Sequence, residues 1–449
     1  MDPAPIAAVG RKVPRYTSYP TAAQFSNVVG PVCFATWLQR LSRATVTSLY
    51  IHIPYCRQLC WYCGCHMRVA RGDEPLARYS DALLAEIGTV GRTLGFRPWV
   101  EHIHWGGGTP TTLKPEDFRR IHEAVRATFE VRPGAEIAVE IDPRSLADAM
   151  VETLAATGTT RVSFGVQDFD EHVQAAINRR QSFALTRDAV ERVRAAGIGS
   201  VNIDLVYGLP RQTRESLTRT IEQTLELEPE RIALFGYAHV PWLKRHQALI
   251  IESELPGPEA RWEQAQAAAA LLVSHGYIPV GIDHFARPGD RLAEASTSGW
   301  LRRNFQGYTD DKFDALIGLG ASSISVLPDG YTQNAADILA WTARVTAGGL
   351  ATARGVVLSD EDRLRRNIIE RLMCDMRVDL NAVLHRKAAA GRVMADANPA
   401  LAELSRAGLV DLDGSIVQIR PDARQLARVV AAAFDGYLGR VAERYSLAV

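Results

Sequence analysis

Four of the six cysteines of this 449-residue chain lie within ten positions, in the segment YIHIPYCRQLCWYCGCH (50–66). Cys56, Cys60, Cys63 and Cys65 have the spacing C-x3-C-x2-C-x-C. Structural zinc usually takes two C-x2-C pairs on either side of a long spacer, whereas one tight loop of thiolates suits a compact iron–sulfur cluster. The spacing therefore favours a cluster, with zinc as the alternative. If only three thiolates bind a cluster of four irons, the fourth iron keeps an open position for a small chelating ligand.

The elements that position this loop follow from hydrophobic patterns. Six short β-branched runs alternate with amphipathic stretches of helical period, which predicts parallel strands joined by helices. We therefore predict an α/β fold with a full or partial β/α barrel of six units, and a doubly wound open sheet is the alternative. The predicted strands cover residues 48–53, 101–107, 136–142, 161–167, 200–208 and 231–238.

A polar or glycine-rich feature follows each predicted strand. In both candidate folds, ligands collect at the carboxyl ends of the strands. A polar residue often marks only the point where a strand leaves the core, but that explanation covers one feature better than six. The set therefore predicts a binding site at this edge. In order, the features are the cysteine loop, GGGTPT (106–111), Glu140 with Asp142, Gln167 with Asp168, Asp204 with Tyr207 and Gly208, and Tyr237 with Ala238 and His239.

Composition and charge argue against several classes of protein. The chain has 51 Lys plus Arg and 51 Asp plus Glu, so its net charge gives no reason to expect a nucleic-acid or anionic-membrane partner. No apolar run reaches the length of a membrane span, and the N-terminus lacks the apolar core of a signal peptide. We predict a cytoplasmic protein, where thiols stay reduced and available to metals, and a monomer.

Three regions are predicted along the chain. Residues 1–44 form an arm that closes over the site, residues 45–352 form the barrel and its extension, and residues 353–449 form a mostly helical domain. A hairpin is predicted in the last region, turning at Asp413 and Gly414, and helices flank it. The combination is similar to a winged helix.

The basic residues of this last region form only a short stripe. Arg420 precedes a segment, 421–438, that is predicted as one helix, and Arg424 and Arg428 lie within it. A short stripe of this kind usually marks a solvated face. We therefore expect a lid or packing domain rather than a contact with DNA.

The cysteine spacing after the first predicted strand resembles that of the radical S-adenosylmethionine superfamily. The resemblance sharpens to the oxygen-independent coproporphyrinogen III dehydrogenase (oxidase) family, because matched stretches follow one another along almost the whole chain. They are VPRYTSYPTAAQF (13–25), SLYIHIPYCRQLCWYCGCH (48–66), IHWGGGTPT (103–111), EIDPR (140–144), GVQDF (165–169), INRRQ (177–181), NIDLVYGLPRQT (202–213), DHFARP (283–288) and NFQGYT (304–309).

The resemblance implies a partial (β/α)6 radical-SAM barrel and a role in anaerobic heme biosynthesis. A radical would take a hydrogen atom from the β-carbon of each of two propionates of coproporphyrinogen III. Loss of carbon dioxide and an electron would then leave vinyl groups, giving protoporphyrinogen IX. An electron donor and an electron acceptor are implied as well, and the sequence identifies neither.

The resemblance also implies a set of site residues. Cys56, Cys60 and Cys63 would bind one 4Fe–4S cluster, and Cys65 would lie close by without being an ordinary ligand. The catalytic positions are Tyr50, Cys65 and Gln306. One S-adenosylmethionine would contact Tyr50, Gly107, Glu140 and Ile324, and a second would contact Tyr62, Gly108, Thr109, Gln167, Arg179, Asp204 and Ala238. Tyr62 stands where the family has an aromatic residue, often Phe.

Further residues are candidates for the substrate side of the site. A flexible tetracarboxylate needs local cations, and Arg15, Lys244 to His246, and Arg302 with Arg303 are candidates. His52, His102 and His104 are expected to be packed core histidines unless one of them lines the cavity.

Two other functions stay open on the sequence alone. A heme chaperone or heme-handling relative of the same superfamily is one, although its cysteine loop typically lacks the fourth cysteine. A non-catalytic cluster or zinc module with a winged-helix DNA contact is the other, and it predicts metal binding without cleavage of S-adenosylmethionine.

Overall fold

The computed structural model describes residues 8–439 and 445–446, and one twelve-stranded sheet organises most of them. In chain order the strands are β1 Val46–Ile53, β2 Tyr55–Cys56, β3 Arg68–Val69, β4 Trp99–Gly107, β5 Glu130–Ile141, β6 Arg161–Gln167, β7 Ser200–Tyr207, β8 Arg231–Gly236, β9 Ile278–Val280, β10 His284–Ala286, β11 Arg302–Asn304, β12 Gly307–Thr309, β13 Ala315–Leu319, β14 Ile324–Leu327, β15 Gly330–Asn334, β16 Thr352–Val357, β17 Arg377–Asp379, β18 Val410–Asp413 and β19 Ile416–Ile419. The large sheet has the order β16-β15-β14-β13-β1-β4-β5-β6-β7-β8-β10-β9.

Helices connect the strands and cover the sheet. The α-helices are Pro31–Gln39, Glu74–Leu94, Pro115–Thr128, Asp148–Ala156, Glu171–Ala176, Phe183–Ala195, Arg214–Glu226, Pro258–Ser274, Arg291–Thr297, Ile338–Thr346, Asp360–Asp375, Leu380–Leu384, Ala390–Arg406 and Ala427–Ala431. Short 3-10 helices cover Ala22–Gln24, Pro110–Thr112, Pro143–Ser145, Arg245–Leu249, Glu252–Glu254, Pro421–Leu426 and Ala432–Phe434.

The six predicted strands are confirmed as β1 and β4 to β8, which pair in parallel in that order. β1 and β7 are each buried along most of their length, as expected for parallel strands covered on both faces. β16 and β9 form the two ends of the sheet, so the strand ladder is open. The open ladder excludes a full barrel, and β1 and β4 to β8 follow chain order without the reversal of a doubly wound sheet, so the structure has a partial barrel.

β13 adds a parallel strand that the sequence patterns did not predict. It pairs with β1 on the side opposite β4, and three antiparallel strands extend the sheet beyond it. All five residues of β13 are buried. A fully apolar run of this length carries no periodic signal that separates strand from helix.

The sequence signals that begin the connecting helices are local. The helix Arg214–Glu226 starts with a capping box, in which the Thr213 side chain accepts from the Ser216 amide and the Ser216 hydroxyl accepts from the Thr213 amide. The helix Asp360–Asp375 has the same device at Ser359. These caps satisfy amides that have no partner within the helix.

The C-terminal region contains the predicted hairpin. β18 and β19 pair around Gly414, whose φ of +56° suits a glycine in a tight turn, and β17 adds a third strand. Residues 440–444 and 447–449 of the predicted region 353–449 lie outside the described residues, as do residues 1–7 of the predicted arm. β16 crosses the predicted limit between residues 352 and 353, and the limits of the three regions stay predictions.

Two expectations about this region were wrong. Residues 421–438 do not form one helix, because a 3-10 turn, a short α-helix and a second 3-10 turn divide the segment as it packs on the barrel. Two of the three arginines of the stripe are not on a solvated face, since Arg424 donates to the carbonyls of Pro279 and Gly281 and Arg428 is only 6% exposed. Arg420 is exposed, as expected. Packing against the barrel thus overrides the helix propensity of the segment and also buries two of its arginines.

The N-terminal arm contacts the C-terminal region across the mouth of the barrel. The Tyr16 hydroxyl donates to Asp435 at 2.9 Å, and the Tyr19 hydroxyl accepts from the Gly436 amide at 2.9 Å. Among the described residues, no helix has the length and apolar character needed to cross a membrane.

Candidate active site

A cavity of about 760 Å³ opens at the carboxyl ends of the parallel strands. Its volume falls within the usual range for a small-molecule site. The structure brings eight of the predicted site residues to its wall: Tyr62, Cys63, Cys65, Glu140, Gln167, Asp204, Ala238 and Gln306.

The other predicted residues lie outside this lining. Tyr50 and Ile324 pack at the edge of an apolar cluster around Phe25 and Tyr331. The rest belong to the cysteine loop or lie next to it: Cys56, Cys60, Gly107, Gly108, Thr109 and Arg179.

Hydrogen-bond donors surround the thiols of the cysteine loop. Cys56 Sγ accepts from the Thr109 hydroxyl at 3.4 Å. Cys60 Sγ accepts from Arg179 Nη1 at 3.4 Å and from Arg144 Nη2 at 3.5 Å. Donors of this kind stabilise thiolates, which are the form that binds iron.

The thiols differ in their ionisation. Burial raises the pKa of Cys56 to about 12. The hydrogen bond from Cys65 lowers the pKa of Cys63 to about 7 and raises the pKa of Cys65, so Cys63 is the thiolate of that pair.

The donor set fits an iron–sulfur cluster. The three cysteines predicted as ligands lie on one loop with Cys65, two arginines adjoin one of the thiols, and a hydroxyl adjoins another. Within residues 8–439 and 445–446, no group of three or more His, Cys, Asp or Glu side chains is arranged to hold a single metal ion.

A segment that follows β8 holds the cysteine loop from the cavity side. Lys244 Nζ donates to the Cys65 carbonyl at 2.9 Å, and the His246 ring bonds to the Cys63 carbonyl at 2.7 Å. Gln247 donates to the carbonyl of Tyr62 at 2.8 Å. Lys244 and His246, which the sequence suggested as substrate contacts, therefore position the loop.

Glycines at the end of β4 permit close approach of backbone to the site. Gly107 has a φ of +113°, and a Cβ atom there would lie 2.5 Å from the His52 ring. A Cβ atom on Gly108 would lie 2.6 Å from the carbonyl oxygen of Tyr55. Only glycine fits both positions without displacing its neighbours.

Glu140 accepts two hydrogen bonds at the cavity wall. They come from His104 Nε2 and from the Gly107 amide, each at 3.1 Å. Burial alone would raise the pKa of Glu140, but these donors and the nearby histidines hold it below the ordinary value. Glu140 is therefore an ionised acceptor.

Asp204 lies further along the sheet in a different environment. Its carboxylate accepts from the Ser163 hydroxyl at 2.9 Å and from Asn202 Nδ2 at 2.8 Å. Burial, followed by the charge of Glu140, raises the pKa of Asp204. The cavity thus holds two carboxyl groups whose pKa values are shifted in opposite directions.

Gln167 ends β6, and Arg179, which follows the helix Glu171–Ala176, reaches β6 with its side chain. Arg179 is 5% exposed and donates to the Gly165 carbonyl and to Cys60. Gln167 has a φ of +72°, unusual for a residue with a side chain, and lines the cavity. Strained positions of this kind often occur at functional sites.

His102 and His104, expected to be packed core histidines unless one of them lines the cavity, both line it. The sequence suggested no role for several charged residues of the cavity, among them Glu136, which accepts from Arg161 Nη2 at 2.7 Å. Arg231 also lines the cavity and pairs with Asp290 at 2.9 Å. Charged residues inside otherwise apolar predicted strands were the available signal.

The comparisons with known proteins agree with this geometry. A model of the radical SAM superfamily matches residues 50–224. An oxygen-independent coproporphyrinogen III oxidase of Bradyrhizobium diazoefficiens is 48% identical over 438 residues, which cover 98% of this chain and 97% of that protein. The protein of the same name from Escherichia coli K12 is 39% identical over 430 residues, covering 95% and 93%. This chain belongs to the oxygen-independent coproporphyrinogen III oxidase family.

A solved structure extends the match to the fold. The coproporphyrinogen III oxidase of Escherichia coli, described as a radical SAM enzyme, has a TM-score of 0.89 and 37% identity, covering 95% of this chain and all of that one. The family and its α/β fold are therefore confirmed, and so is the class of enzyme, an oxidoreductase. The cofactors of such an enzyme are a 4Fe–4S cluster and S-adenosylmethionine, while the residues that bind them here stay predictions.

Proposed function

We propose that this protein converts two propionate side chains of coproporphyrinogen III to vinyl groups without oxygen, giving protoporphyrinogen IX in heme biosynthesis. The observation that carries the proposal is the cavity, which has thiols of the cysteine loop, Cys63 and Cys65, in the same wall as Glu140, Asp204 and Gln306. When bound, the cluster supplies the electron that splits S-adenosylmethionine into methionine and a 5′-deoxyadenosyl radical.

The chain's own residues bind and orient the reactants. Cys56, Cys60 and Cys63 hold the iron. Glu140 is ionised and accepts only, so it suits the α-ammonium of S-adenosylmethionine, and Asp204 suits a ribose diol.

A second S-adenosylmethionine is proposed next to the first. Tyr62, Gln167, Asp204 and Ala238 line the same cavity and support this site. Arg179 does not line the cavity, and its guanidinium donates to the Cys60 thiol at 3.4 Å.

The N-terminal arm keeps water and oxygen away from the radical. Val13, Pro14 and Thr17 line the cavity, and the arm is tied down through Tyr16 and Tyr19. Closing a site in this way is a common role for such segments.

The oligomeric state, the location and the remaining partners are proposed from the cavity, the thiols and the overall charge. Residues of one chain line the cavity, which suits a monomer, and cysteines that bind iron must stay reduced, which suits the cytoplasm. The balanced overall charge supports the absence of nucleic-acid and membrane partners. An electron donor and an electron acceptor complete the reaction.

The test is an anaerobic turnover assay on the full-length chain loaded with iron and sulfide. Reductant, S-adenosylmethionine, an electron acceptor and coproporphyrinogen III are added, and 5′-deoxyadenosine and the oxidised porphyrins are measured together. Protoporphyrin formed with deoxyadenosine is expected. Deoxyadenosine without protoporphyrin would indicate a heme-handling relative, and neither product from a loaded cluster would indicate a binding module.

A pair of cysteine variants tests the predicted ligand set. Cys56→Ala is expected to abolish cluster assembly, because it removes a proposed ligand. Cys65→Ser is expected to keep the cluster and impair turnover. Equal loss of iron in both variants would contradict the assignment of three ligands.

A further inference from the structure

A smaller cavity of about 160 Å³ adjoins the large one. The two share Arg15, Thr17, Phe235, Gly236, Phe305 and Gln306. Gln306, a proposed catalytic position, therefore lies where the two cavities meet. A group that extends from the large cavity past Gln306 would enter the smaller one.

The smaller cavity is strongly positive. Among residues 8–439 and 445–446, four arginines line it, namely Arg15, Arg261, Arg303 and Arg428, against one acidic side chain, Asp283, which gives these residues a formal charge of +3. The arginines come from the N-terminal arm, the barrel extension and the C-terminal region. A cavity of this charge favours an anionic occupant.

The lone acidic group does not neutralise the arginines. The Asp283 carboxylate bonds to His284 Nδ1 at 2.7 Å, and it forms no ion pair within 4.0 Å with Arg15 or Arg303 in the part of the chain that the structure describes. Burial, followed by repulsion from Arg15, lowers the pKa of Arg428 to about 9. Arg15 and Arg303 thus lie close enough to act on Arg428, and an anion placed between these arginines would be attracted to all three.

Arg303 has unused hydrogen-bonding capacity. Its Nε and Nη1 atoms are buried and have no hydrogen-bond partner among the described residues. The guanidinium lies over the Tyr308 ring with its carbon 4.4 Å from the centroid, which fixes its orientation. Buried donors are almost always paired in proteins, so these atoms point to an acceptor supplied by a ligand.

Arg15 is the second group free to contact a ligand. Its Nη2 atom donates to the Gly236 carbonyl at 3.1 Å, and the side chain is otherwise exposed to the two cavities that it lines. Arg261 differs, since it donates to the carbonyls of Gly208 and Tyr237 and so supports the wall. A guanidinium presents a planar fork that matches a carboxylate.

We propose that the smaller cavity binds one carboxylate of the substrate, with Arg15 and Arg303 as its direct contacts and Arg428 as a nearby cation. The proposal rests on the proposed function, because it takes the substrate to be a porphyrinogen that carries several carboxylates. A carboxylate anchored there would hold the macrocycle while a different propionate occupies the reaction centre. It also assigns the N-terminal arm a direct part in substrate recognition.

The test compares two probes on the full-length, cluster-loaded enzyme. Coproporphyrin III, the stable oxidised form of the substrate, carries four carboxylates, and its tetra-amide keeps the size but carries no negative charge. Arg303→Gln is expected to weaken binding of coproporphyrin III at least tenfold, because a hydrogen bond to a charged group is lost. Binding of the tetra-amide and of S-adenosylmethionine is expected to stay unchanged.

Matched variants make the result specific. Arg302→Gln is the control, since Arg302 is exposed, adjacent in sequence and paired with Glu370 at 3.0 Å outside both cavities. Arg303→Lys keeps the charge and is expected to restore part of the affinity. Arg15→Gln changes an exposed arm residue, and it decides the question if Arg303→Gln fails to fold.

The outcomes separate this proposal from the proposed function. If the wild-type enzyme forms protoporphyrinogen and the Arg303→Gln and Arg15→Gln variants keep wild-type affinity and KM, the carboxylate site is wrong and the function stands. If the variants lose coproporphyrin III but the wild-type enzyme forms no protoporphyrinogen, the anion site stands and the function is wrong. Equal losses for coproporphyrin III and the tetra-amide would also overturn the carboxylate site.

Discussion

Replacing Gly107 by alanine tests whether close packing between the end of β4 and the His52 ring sets the geometry of the site. The added methyl group would lie 2.5 Å from two atoms of the His52 ring, well inside contact distance. His52 has little room to move, since it is 5% exposed and its two ring nitrogens bond to the Tyr50 hydroxyl and the His66 carbonyl, each at 3.0 Å. The backbone of Gly107 must therefore shift.

The cost has two parts. A side chain at the positive φ of Gly107 costs about 1–2 kcal/mol, and overpacking against a fixed neighbour costs about 1–3 kcal/mol. We therefore expect the variant to lose about 2–5 kcal/mol of unfolding free energy. The shift also withdraws the amide that donates to Glu140, so S-adenosylmethionine should bind more weakly.

Gly134→Ala is the matched control for this experiment. Gly134 has a φ of +81°, is exposed, and a Cβ atom there would have no neighbour within 4 Å. Gly134→Ala is therefore expected to lose only the conformational contribution, about 1–2 kcal/mol of unfolding free energy. Denaturant unfolding and calorimetric titration with S-adenosylmethionine on the reconstituted enzyme give the two readouts. Equal destabilisation of both variants, with normal affinity in Gly107→Ala, would refute the packing argument.

Two further predictions concern buried polar groups. Burial raises the pKa of Glu86 from 4.5 to about 7, so the folded state holds the proton more tightly than the unfolded state. The unfolding free energy should therefore fall by roughly 3 kcal/mol as the pH rises from 4.5 to about 7. In urea titrations at several pH values, Glu86→Gln should make the unfolding free energy less dependent on pH. An unchanged pH dependence in the variant would count against this role of Glu86. Thr109→Val removes a hydrogen bond to Cys56 worth about 1.5–3 kcal/mol and should shift the cluster to a more negative midpoint potential in a redox titration followed by electron paramagnetic resonance. Thr111→Val is the control, because the Thr111 hydroxyl has no partner among the described residues, and an equal shift in both variants would contradict the assignment.

The sequence predicted the parallel part of the fold well because its signals are local. The strands β1 and β4 to β8 are long β-branched runs, each followed by a polar or glycine-rich loop. β13 and the antiparallel strands beyond it were not predicted, because they are short and belong to the sheet only through partners distant in the chain. The broken helix at 421–438 was missed for a related reason, since contacts with the barrel decide its course.

Site residues, like strands, were predicted where their signal is local and missed where their partners are distant in the chain. The cysteine loop and Glu140 lie in contiguous motifs, so their types and spacing reveal them. The role of Lys244 in holding that loop could not be predicted, since its partner is a backbone carbonyl 179 positions away along the chain.

The difference between local and distant residues follows from what the cofactor side and the substrate side of the cavity must each bind. Iron ligands and the backbone around them need fixed geometry over a few ångströms, which a short motif on one strand end can supply. A large, flexible, multiply charged substrate needs contacts spread over a wide area, and only distant parts of the chain can span it. Arg15, Arg303 and Arg428 come from three such parts and meet at one cavity. Specificity for the substrate is therefore expected to depend on how the arm and the C-terminal region pack on the barrel, while the radical chemistry depends on the barrel itself.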